Sequence, residues 1–333
     1  MVFENMNHNH IEYAAKVALA EYHEEYNAVP LLLKGDYYSN LCKMISELID
    51  LNLGTVAIED GKVIGFLTCY HPMNNHFGTT LGTFSPIHAH GAVKENRRRI
   101  YSRLYQVAAE KWVGQGILSH AIVLYAHNNE AVESFFWNGF GLRCVDAIRG
   151  VEPIASNEYP SAIFCELSMD EIGQVVPLKN QLIKHLQNTP MFIPLFFQRD
   201  IQQVKEENER RGSRFFVIKI NGETVAFIEI MASGENFACE DSKTMNICGA
   251  YMLPEYRNQD AWASSKQSFR PASGMFTKLL AFLINTLAAE GYARCGVDFE
   301  SFNPTASGFW LKYFTPYTYS LVRRIDDRII KSG

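Results

Sequence analysis

Asp298 and Glu300 are the side chains whose spacing alone best suits proton chemistry. Alternate residues of a strand point the same way, so these two carboxylates share one face at the end of an apolar run. Glu229, on a strand of its own, can face the same cleft. A carboxylate in a desolvated cleft titrates high, which suits a general base. The same groups serve equally well as structural partners of Arg294, Arg323 or Arg324. Gly274 opens a long apolar helix, with Met275, Phe276, Thr277 and Lys278 in its first turn. Unpaired N–H groups and the helix dipole make such a start attractive to an anion. Tyr313 offers a phenol, but it sits among Phe309, Phe314 and Tyr317 and has packing to do there. Asn303 stands before a short helix, where Asn is a good N-cap.

Other chemistries find little support. His88 and His90 alternate as two metal ligands would, but no third ligand stands at a useful spacing, so no metal site is expected. His8, His10 and His23 read as a polar start and a helix face. The seven cysteines form no C-x-x-C pair, and several lie in apolar runs, as reduced thiols in a cytoplasmic protein would. Cys248 has no base nearby in sequence and reads as a buried apolar residue. No Ser/His/Asp or Cys/His signature and no phosphate-binding P-loop is legible. A net charge of −5 and aromatics without basic interleaving argue against nucleic acid. No apolar run reaches the roughly eighteen residues a membrane span needs. Met1 to His10 lacks the pattern of a signal peptide.

The elements that must position these residues follow from periodicity. At 333 residues two domains are the default. Helices are expected over His10–Asn27 and Asp36–Asn52, where Leu41, Met44, Ile45, Leu48 and Ile49 keep three- and four-residue spacing. Strands at 55–58 and 63–70 flank Asp60-Gly61, a strong hairpin signal. A strand at 79–86, a long helix over 95–116, a strand at 118–125, a short helix over 129–137 and strands at 142–149 and 162–168 complete the first half. The second half repeats the order: helices over 170–187 and 196–210, strands at 214–220 and 223–231 around Asn221-Gly222, a strand at 244–253, a helix over 274–290, a strand at 294–299, a helix over 305–313 and a strand at 317–325.

The repeat can be counted. Leu104, Gly116, Asn128 and Ala131 lie 175 positions before Leu279, Gly291, Asn303 and Ala306. The hairpin turns lie only 161 apart, so about fourteen residues enter the second half between turn and helix, much of it in Asn258–Pro271. A constant offset through helix, strand and helix indicates duplication. Domains are expected at 1–168 and 169–333.

This order resembles the GNAT acyltransferase superfamily, twice over. Its most specific trace is Asn, two residues, Ala, then aromatics: Asn128…Ala131…Phe135-Phe136-Trp137, and Asn303…Ala306…Phe309-Trp310. Tyr251-Met252-Leu253-Pro254-Glu255-Tyr256-Arg257 is similar to the family's passage from strand to cofactor helix. The resemblance implies a mixed α/β fold of two tandem GNAT-like acyl-CoA N-acyltransferase domains. It implies acetyl-CoA as acyl donor, its pantetheine arm between two splayed strands and its pyrophosphate on the start of the long helix. Carried over, the donor site is Leu253, Gly274, Met275, Phe276, Thr277, Lys278 and Asn303.

The pattern is incomplete. Pro271-Ala272-Ser273-Gly274-Met275-Phe276 keeps one glycine of the family's loop but has Phe276 where Gly or Ala is usual. Asn96-Arg97-Arg98-Arg99-Ile100-Tyr101 keeps none, leaving side-chain phosphate binding by the arginines or a solvated basic turn as alternatives. The family's proton-donating Tyr is Phe135 in one half and Trp310 in the other, with Tyr313 the nearest substitute.

The resemblance therefore implies an N-acetyltransferase working through a direct ternary complex, with Glu300 and Asp298 as candidate bases and Tyr313 as acid. The acceptor is a small-molecule or peptide amine, and the first half is a degenerate copy. The competing readings are a GNAT-fold binding or scaffold protein without catalysis and, more weakly, acyl transfer from aminoacyl-tRNA. Oligomeric state is not legible.

Overall fold

The computed structural model describes residues 1–331 except 50, 196, 235 and 258–273. The proposed insertion Asn258–Pro271 therefore lies outside the described residues. The chain forms two compact units, Met1–Ala147 with Thr315–Gly333, and Ile148–Phe314. These units do not coincide with a repeat boundary at 168/169.

In the first unit α1 (Ile11–Ala28) and α2 (Tyr38–Ile49) precede β2 (Thr55–Glu59) and β3 (Lys62–Leu67), joined at Asp60-Gly61. Both turn residues have positive φ, 51° and 73°, and no neighbour lies within 4 Å of a Cβ built on Gly61. The glycine is there for backbone freedom, as a two-residue hairpin demands. β1 (Val2–Asn5) adds to β2, and β5 (His90–Ala92) pairs with β3. A second group of strands runs in the order β4 (Gly82–Ser85), β6 (Ser119–Tyr125), β13 (Thr315–Arg324), β7 (Gly141–Gly150). The strand expected over 79–86 is thus followed by a separate one, β5. α3 (Arg97–Gly114) and α4 (Asn129–Trp137) cover a core of Tyr101, Leu104, Tyr105, Trp112, Phe135 and Phe140.

The second unit opens with a 3-10 turn, Met169–Val175, and α5 (Val176–Gln187) where one helix is expected; Pro177 sits in the first turn of α5, where its missing N–H costs nothing. α6 is Ile201–Arg211, beginning later than 196 because Asp200 caps it and exchanges a capping box with Gln203. The sheet runs β12 (Arg294–Glu300), β11 (Thr244–Met252), β10 (Glu223–Met231), β9 (Arg214–Ile220), β8 (Ala162–Glu166). Asn221 and Gly222 again take positive φ, 51° and 85°. Phe216 and Phe227 are fully buried, each contributing about 1.5–3 kcal/mol. α7 (Met275–Ala289) and α8 (Pro304–Trp310) complete the unit, and α9 (Arg328–Lys331) ends the described chain in the first unit.

The counted repeat has structural counterparts. Gly116 and Gly291 each end the long helix with φ of 77° and 86°. Asn128 and Asn303 each accept the N–H of the Ala three residues on. One exchange breaks the symmetry: β13, which closes the second repeat, lies in the first unit, and β8, which follows the first repeat, is paired with β9 of the second. All seven cysteines are free thiols. No helix among the described residues is long and apolar enough to cross a membrane.

Candidate functional site

In the second unit a parallel pairing stops before its strands do. β11 and β12 are parallel and paired from Thr244↔Arg294 to Ile247↔Val297, then run on to Met252 and Glu300 outside that ladder. The ladder ends where β11 changes step against β10. Glu229 faces Gly249 and Ile230 faces Ile247, leaving Cys248 as the extra residue of a bulge. A bulge bends its strand and redirects the residues beyond it. Burial pushes the Cys248 thiol up to about 12, so it is no nucleophile.

Glu229 lies at this point. Its Oε2 receives the Lys179 ammonium at 2.6 Å, both side chains being buried. A Cβ on Gly249 would sit 3.1 Å from the same oxygen. Asp298 and Glu300 share the side of β12 opposite Val297 and Phe299. Asp298 is exposed, Glu300 half-buried, and the charge of Asp298 is felt at Cys248.

The predicted donor residues divide. Gly274 caps α7 with no side-chain cap and no acid in the first turn, and its carbonyl accepts from Thr277 and Lys278. The N–H groups of Met275 and Phe276 have no intrahelical acceptor. Thr277 Oγ1 lies 3.0 Å from the Tyr313 hydroxyl, which brings that phenol to the first turn of α7. Lys278 is paired with Glu158 at 2.6 Å. The ring of Phe276 packs on Phe309 and Trp310, with centroids 5.1 and 6.2 Å away.

Two residues are already engaged. Leu253 gives its N–H to Val225 and its carbonyl to Tyr256. Asn303 caps α8 and is hydrogen-bonded by His185. Burial, helped by the Arg257 charge, lowers the His185 pKa. Lys179 and His185 were not singled out in the sequence, and Arg257 stood out there only as the end of the Tyr251–Arg257 passage. The signal for Lys179 was faint but present, a charge between the buried Val176, Leu178 and Ile183 of one helix.

The corresponding place in the first unit is occupied by side chains. β4 and β6 pair only from Gly82↔Ser119 to Ser85↔Ile122, and β5 belongs to β3. Glu21 of α1 enters and takes the Ala92 N–H at 2.8 Å, the Tyr101 hydroxyl at 2.9 Å and the Asn128 amide at 3.1 Å. His90 bonds Tyr101 at 3.0 Å and the Val123 carbonyl at 2.6 Å. Burial raises the Glu21 carboxyl to about 7 against the pull of Arg97. Arg97 is neither a solvated residue nor a phosphate ligand. It is buried, donates to the Ala92 carbonyl and grips both oxygens of Glu24, while Arg98 pairs with Glu133.

A helix–hairpin–strand–helix unit made twice, with a parallel pair that parts at a bulge and a long helix packed on the same sheet, decides the fold. This chain has the fold of the GCN5-related N-acetyltransferases. A structure of such a protein from Sphaerobacter thermophilus aligns with a TM-score of 0.56 at 9% identity, over 97% of this chain and 95% of that one. A tandem GNAT protein from the clavulanic acid biosynthesis pathway aligns at 0.46 and 12% identity, over 97% and 98%. A Thermoplasma acidophilum N-acetyltransferase solved with coenzyme A aligns at 0.34 and 16% identity, over 43% and 91%. No protein-family model matches the chain, and no curated protein matches it in sequence.

Proposed function

We propose that the second unit is an N-acyltransferase that moves an acetyl group from acetyl-CoA to an amine in a direct ternary complex. One observation carries this reading: the β11–β12 ladder stops at Ile247↔Val297 on the sheet that α7 packs against, while Gly274 leaves the start of α7 uncapped. The residues present fit the donor. Gly274, Met275 and Phe276 offer backbone, Thr277 a hydroxyl and Lys278 a charge for a diphosphate. The thioester itself supplies the activated acyl group. Glu229, with Asp298 and Glu300 as further candidates, takes the proton of the acceptor ammonium. Tyr313 protonates the leaving sulfur. The acceptor is a small molecule or peptide amine, met in the cytoplasm.

A non-catalytic scaffold is the alternative, and the packing of Phe276 with Phe309 and Trp310 at the helix start favours it. Calorimetry with acetyl-CoA separates the two. The transferase reading expects one site per chain in the wild type and none in Gly274→Asp, which places a carboxylate where the diphosphate would lie yet still caps the helix. A wild type that gives no heat of binding supports the scaffold.

A further inference from the structure

Lys179 is out of place on its helix. α5 buries Val176, Leu178 and Ile183, and Lys179 is drawn in with them to 9% exposure. Its ammonium is 2.6 Å from Glu229 Oε2 and 5.1 Å from the centre of the Phe215 ring. That carboxylate oxygen lies 3.1 Å from where a Cβ on Gly249 would stand, and Gly249 is the second residue beyond the end of the β11–β12 ladder. A desolvated primary amine thus touches a carboxylate beside the bulge at which the parallel strands part. Those are the requirements of an acceptor. If Lys179 only balanced the Glu229 charge, nothing would require the pair to stand at the place where the strands part.

We propose that Lys179 is itself an acyl acceptor of the second unit; this rests on the transferase reading given above. Glu229 removes one proton from the Lys179 ammonium and later passes it to solvent. The free Nζ forms a bond to the thioester carbonyl carbon, and the carbon–sulfur bond breaks. The second proton lost by nitrogen goes to the departing sulfur, so the products are acyl-Lys179 and the free thiol. The amide that results carries no charge, and Glu229 loses its ion partner to the next amine that enters.

The test follows the mass of peptides from the full-length protein over time with acetyl-CoA, with the heat of acetyl-CoA binding measured on the same preparation. Lys179 should gain one acetyl group roughly a hundredfold faster than the exposed Lys34 and Lys243, the scale of general-base assistance. Glu229→Gln should bring Lys179 down to the rate of the exposed lysines. Lys179→Arg, which keeps the ion pair, should fold normally and acquire no acetyl at that position. Binding of acetyl-CoA with Lys179 labelled no faster than Lys34 overturns the inference and leaves the transferase reading intact. No binding at all removes the transferase reading, and this inference with it.

Discussion

Each unit directs a buried ionisable side chain from its first long helix toward the place where its parallel strands part. In the first unit Glu21 accepts the Ala92 N–H, the Tyr101 hydroxyl and the Asn128 amide. In the second, Lys179 stops at Glu229 above Gly249, and the β12-facing edge of Gly249–Met252 stays outside the ladder. The two copies therefore differ at this place: one holds buried polar side chains there, and the other leaves strand backbone outside its ladder. Buried polar side chains that satisfy one another are stable without ligand. Backbone outside a ladder is left for a ligand to satisfy.

The comparison can be broken most forcefully at Glu21. Glu21→Ala strips partners from Ala92 N–H, Tyr101, Asn128 and Arg97, and should cost about 3–5 kcal/mol in denaturant unfolding. The same residue supplies a pH signature. Its carboxyl rises from an ordinary 4.5 to about 7 in the folded protein. Its contribution to stability is therefore complete below 4.5 and is lost as pH rises through about 7. His88, His90 and His120, held near 4 by burial, work in the opposite direction. The quantity to measure is the stability difference between wild type and Glu21→Gln, in which these histidines cancel. That difference should fall by roughly 3 kcal/mol between pH 4.5 and 7. A flat difference would mean that Glu21 stays ionised.

Smaller effects test the symmetry itself. Asn128→Ala and Asn303→Ala should each cost about 1–2 kcal/mol, since each removes an N-cap. Asn128→Ala should be the worse of the pair, because it also takes a donor from the buried Glu21. Gly61→Ala and Gly222→Ala should cost the least, about 1 kcal/mol each and equal, because neither added methyl meets a neighbour and only positive φ is penalised. Unequal costs there would show that the two hairpins are not equivalent.

Much of this architecture was legible in the residues. The Asp60-Gly61 and Asn221-Gly222 turns, the glycines ending the long helices and the asparagine caps are local devices, and local chemistry reads them correctly. The strand Gly82–Ser85 was visible, but the departure of His90–Ala92 to β3 was not, since partner choice is decided across the sheet. That the strand after the first repeat could be shared between halves was legible from its being one too many, but its pairing with β9 and the placement of β13 were not, for the same reason. Of the candidate site, Gly274, Thr277 and Tyr313 were named from the resemblance, and Thr277 and Tyr313 lie 3.0 Å apart. Glu21 and Lys179 were missed. Their partners lie 71 and 50 positions away, and nothing in a helical pattern announces such a contact.

Hydrogen–deuterium exchange with and without acetyl-CoA tests this difference between the two copies most directly. We expect slowed exchange at Gly249–Met252 and Met275–Lys278, and unchanged exchange at His90–Ala92 and Arg97–Tyr101. Protection at the second pair of segments, with none at the first, would place the donor in the wrong unit and contradict the account.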